Sequence, residues 1–73
     1  MADVQQFKLQ KEAILKKDIS DKMKVVELST LLNHMVAKHN IPLEYGNEYR
    51  MKNKDIVIEF ESIADEIGKL NSI

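Results

Sequence analysis

His34 and His39 are the first residues to test for metal or acid–base chemistry. They stand five apart, which on a helix separates them by about 140°, so they cannot close on one ion as residues four apart can. No H-E-x-x-H or E-x-x-H spacing accompanies them, and there is no cysteine to complete a zinc site. His39 has a structural role instead, beside the carbonyls and dipole of a helix C-terminus. The serines Ser20, Ser29, Ser62 and Ser72 lie in no G-x-S-x-G elbow. Ser20 reads as a helix cap, and Ser29 and Ser62 as mid-helix positions.

Phosphate loops need closely spaced glycines whose N–H groups face the anion, and this chain has only Gly46 and Gly68. Glu59, Glu61, Asp65 and Glu66 lack the spacing of a calcium loop and read as a solvated helix face. No catalytic, cofactor-binding or metal-binding residue emerges, so a non-enzyme is expected. Arg50, Lys52 and Lys54, beside Tyr45 and Tyr49, form the one nucleic-acid candidate. Lysines and arginine meet phosphates and tyrosines stack on bases. The chain has ten lysines but a single arginine, the residue suited to bidentate guanine contacts. Nucleic acid is therefore the alternative partner rather than the first.

The chain has 73 residues and a formal net charge of −1, which gives no bulk attraction to nucleic acid or anionic lipid. Residues 1–54 carry ten Lys and Arg against seven acids, a net of +3, and residues 55–73 carry one lysine and five acids, a net of −4. That asymmetry suits helices that pair by charge. No apolar run exceeds three residues, far short of the ~20 that a membrane span needs. The N-terminal residues show no apolar core of a secretory signal, and with cysteine absent the cytoplasm is the expected location.

The elements that must position these residues follow from apolar spacing. Asp3 and Gln6 have the spacing of a capping box, and Val4, Phe7, Ile14 and Leu15 follow, with Lys11 interrupting the stripe. A strand over residues 5–15 competes, because Phe7, Leu9, Ala13 and Leu15 also alternate. Residues 22–39 give the clearest helix: Val25, Leu28, Leu32, Met35 and His39 keep 3-4 spacing, widened by Leu31 and Val36. Met23 and Met35 read as core or interface filler. Asn40 suits a left-handed helix end, and Pro42 prevents continuation.

Between these helices, Asp18 and Asp21 fall on successive seam positions of the shared heptad, and Asp18 and Ser20 are good N-caps. A break near residues 18–21 is expected. Leu15, Ile19, Met23 and Val26 run straight through the gap and support the rival reading, one helix about 50 Å long. Residues 43–49 resemble a hairpin around Gly46-Asn47. Ile56, Phe60, Ile63, Ile67 and Leu70 keep 4-3 spacing and predict a helix over 55–67 or 55–71, with Asp55 as its cap and Gly68 at its end.

The expected fold is mainly α: a single three-helix domain over 1–73 with a short extended or hairpin segment around 41–54. Two alternatives stand beside it. One is a long N-terminal helix 3–39 plus a C-terminal helix, and the other is an α+β arrangement with strands in 43–60. A core this small yields roughly 3–5 kcal/mol net unless something reinforces it. With disulfides excluded, a partner chain is the available help. The expected function is a protein–protein interaction module, a small regulator, adaptor or assembly factor. It would act as a homo-oligomer, dimeric or higher, and engage another protein. The expected interface residues are Val25, Leu28, Leu32, Met35, Phe60, Ile63 and Ile67.

Overall fold

The computed structural model describes residues 2–72, with side chains from Val4. Four helices follow one another: α1 (Ala2–Lys16), α2 (Asp21–His39), α3 (Asn47–Lys52) and α4 (Lys54–Asn71). The mainly α expectation holds, and no strand occurs among the described residues. The Asp3 cap expected from the sequence concerns a side chain outside the described ones.

The break between α1 and α2 lies where the aspartates fall. Ser20 is extended (φ −66°, ψ 157°), and its hydroxyl accepts the Met23 N–H at 3.2 Å. That bond satisfies one of the donors that every helix start leaves open. Asp18 and Asp21 stay exposed, so neither carboxylate is forced into an apolar seam. Across the break, the Lys24 ammonium donates to the Leu15 carbonyl at 3.0 Å, and Lys17 pairs with Glu27 at 2.6 Å. The single long helix is therefore excluded.

α2 stops at Asn40, the one described non-glycine residue with positive φ (52°). The Ile41 N–H then bonds back to the Val36 carbonyl at 3.2 Å, the six-residue closure of a Schellman turn. Ile41 is drawn into the core at 6% exposure.

Three expectations about the second half need correction, the first being the cap of α4. The helix begins at Lys54 with Asn53 at the cap position, and Asp55 lies inside its first turn. Residues 43–49 do not form a hairpin. Gly46 and Asn47 instead open the six-residue helix α3, where the Arg50 N–H bonds the Gly46 carbonyl at 3.1 Å. A two-stranded ribbon is marginal alone, whereas this turn sets Tyr45 and Tyr49 together with ring centroids 5.5 Å apart. The strand alternative over 43–60 falls with it. Gly68 does not end α4: of the two C-terminal bounds expected, 67 and 71, the longer one holds, and the helix continues to Asn71. Ile67 and Leu70 both pack on the core, so apolar contact carries the helix past its weakest residue.

Leu28 and Met35 of α2 and Val57 and Ile63 of α4 are the most completely buried side chains. α2 against α4 is the principal helix pair, and α1 lies along both, contributing Phe7 and Ile14. The backbone extends 37 × 26 × 16 Å, so the core is thin and many side chains keep one side in water.

Candidate interaction surface

The seven residues expected at an interface divide. Leu28, Met35 and Ile63 have no exposed surface and belong to the chain's own core. Leu32, Phe60 and Ile67 are half-buried against that core, and Val25 is half-buried on α2. The arc is largely covered from within because the 4-3 stripe of α4 faces it directly. What remains open is the edge of the arc, not its centre.

The opposite side of α2 carries Met23 and Val26, the end of the apolar stripe that runs through the gap from Leu15 and Ile19. Met23, Val26, Thr30, Asn33 and Ala37 stand three and four apart and are all exposed. They therefore form one straight row facing away from the core. Met23 is 48% exposed and Val26 53%. The row holds no charged residue in a chain that is 32% charged. Thr30 donates its hydroxyl to the Val26 carbonyl at 3.1 Å, so its one polar donor is already satisfied within the helix. Charges flank the row instead, with Lys22 on one side and Glu27 on the other. Other large apolar side chains, Leu9, Leu43, Met51 and Ile58, are exposed singly on different elements.

The basic candidate is tied up internally. Arg50 pairs with Glu61 through both nitrogens, at 3.1 and 2.9 Å, and sits 5.5 Å from the Tyr45 ring centroid. Tyr45 donates to the same carboxylate at 2.8 Å. These hydrogen bonds, Arg50 first, hold the Glu61 carboxyl below its ordinary range. Burial, followed by the neighbouring carboxylate, pushes the Tyr45 hydroxyl up. Lys52 meets Glu48 one turn away at 3.3 Å. Of the three basic residues, Lys54 is the one with no ion pair among the described residues.

The acidic run on α4 is not wholly a solvated face. Glu59 is 6% exposed and meets Lys11 at 3.2 Å, while Lys11 also donates to the Ser62 hydroxyl at 2.7 Å. The lysine that interrupts the α1 stripe thus reaches into the α1–α4 contact. Two opposite charges, each in phase with an apolar stripe, were the signal available for this pair. His34 lines a shallow cleft of about 390 Å³ between α1 and α2. His39 meets the Phe7 ring edge-on at 5.9 Å. Among the described residues, no three His, Asp or Glu side chains gather where a metal ion could be held. No described helix is long and apolar enough to cross a membrane. No family model, curated protein or solved structure matches this chain.

Proposed function

We propose that this chain is a small protein-interaction module whose first partner is a second copy of itself. The observation that carries the reading is the uncharged outer row of α2. A solvated face in so charged a chain ordinarily bears lysines and glutamates. Here it bears Met23, Val26 and Ala37 with two small or neutral polar residues between them. Covering a large aliphatic side chain fully is worth roughly 1.5–3 kcal/mol, a substantial gain for a domain with a thin core. Pairing of like faces supplies that cover twice through one two-fold axis.

Sedimentation over a rising concentration series tests the reading. The apparent mass should climb from 8.4 kDa toward twice that value through the micromolar range. A mass that stays at 8.4 kDa throughout, with helical structure intact, contradicts it.

A further inference from the structure

Resting on the self-association just proposed, we infer that two copies pair through their α2 helices in parallel and in register. Met23, Val26, Thr30, Asn33 and Ala37 form the seam. The alternating three-four spacing is that of a two-stranded coiled coil, with Met23, Thr30 and Ala37 in one set of layers and Val26 and Asn33 in the other. The row lies on the side of α2 opposite the buried Leu28, Leu31 and Met35, with Thr30 at the rim of the cleft between α1 and α2.

Orientation follows from Asn33. In a parallel, in-register pair its side-chain amide lies opposite the Asn33 amide of the second copy, and each donates to the other. An antiparallel pair centred on Thr30 holds the two Asn33 side chains about 9 Å apart along the axis, so this reciprocal bond is lost. Thr30 adds no cost in either orientation, because its hydroxyl is already bonded to the Val26 carbonyl.

The flanking charges agree with the same choice. A parallel seam sets Lys22 of one copy beside Glu27 of the other, and the symmetry gives two such pairs. Glu27 holds Lys17 through Oε1 at 2.6 Å, which leaves Oε2 to receive Lys22. In the antiparallel alternative, Lys22 faces Val36 and loses its carboxylate.

Because the chain has no cysteine, single cysteines report orientation cleanly. Met23→Cys and Ala37→Cys change exposed positions, and each should form a disulfide-linked dimer with itself under mild oxidation. A mixture of the two variants should give no mixed dimer, since the positions lie about 21 Å apart along a parallel pair. Lys8→Cys, on the exposed face of α1, should not cross-link. Lys22→Glu should weaken association of the otherwise unmodified chain on the order of tenfold. Mixed dimers in place of self-linked ones overturn the inference. So does a chain that doubles its mass while neither variant cross-links. A wild-type chain that never doubles its mass removes the self-association reading itself, and the parallel seam with it.

Discussion

Two acidic residues a half-turn apart on α4 meet cations from different helices, and their surroundings differ sharply. Glu59 meets Lys11 of α1, with side chains 8% and 11% exposed. Glu61 meets Arg50 of α3, with side chains 42% and 48% exposed. The exposed pair has the better hydrogen bonds: two nitrogens on one carboxylate, with Tyr45 donating as well. The buried pair has poorer alignment, for Glu59 Oε2 accepts no well-directed hydrogen bond. Geometry and energetic consequence therefore run in opposite order. Water can replace Arg50 at Glu61, but nothing can replace Lys11 at Glu59.

The largest effect should come from breaking the buried pair on one side. Lys11→Ala leaves Glu59 buried without a counter-charge and should cost about 3–5 kcal/mol in denaturant unfolding. Replacing both partners, as Lys11→Met with Glu59→Leu, should restore wild-type stability or exceed it, because the apolar α1–α4 contact then needs no ion. If Lys11→Ala alone unfolds no more easily than wild type, the pair is solvated and the contrast with Glu61 disappears.

A smaller effect is expected at the exposed end of α4. A Cβ at Gly68 meets nothing within 4 Å, so Gly68→Ala should stabilise by about 0.5–1 kcal/mol. Thermal unfolding should rise by a few degrees, and a fall would show that α4 ends near Gly68 after all.

The smallest effect belongs to the exposed pair and is best read from its pH dependence. The Glu61 carboxyl is held below its ordinary value of 4.5, so its contribution is present above that value. It is lost as pH falls through the lowered folded-state value. Glu61→Gln should therefore lower neutral stability slightly and remove an acid-dependent step of the same small size from the unfolding profile. An identical acid profile for wild type and variant would show that Arg50 and Tyr45 do not act on this carboxylate.

The parts of the fold that were legible in the sequence have local causes. Ser20 and the paired aspartates mark the break, Asn40 and Pro42 mark the end of α2, and the 4-3 stripe marks α4. The parts that were not legible depend on tertiary context. Gly46-Asn47 has the chemistry of either a hairpin turn or a helix start, and Tyr45 packing with Tyr49, Phe60 and Glu61 accompanies the second. Gly68 is a poor helix residue, yet Leu70 beyond it finds the core. The candidate surface was harder still. Apolar periodicity selects the face richest in leucine, and on α2 that face is the core. The outer row is marked by missing charge, and threonine, asparagine and alanine add nothing to an apolar count.

An NMR dilution series on the uniformly labelled wild-type chain tests the self-association account most directly, reading each backbone amide as concentration rises through the micromolar range. Concentration-dependent shifts should centre on Met23, Val26, Thr30, Asn33 and Ala37, with the amides of the buried Leu28, Met35 and Ile63 little changed. Spectra that do not change with concentration, or changes centred away from α2, would contradict the account.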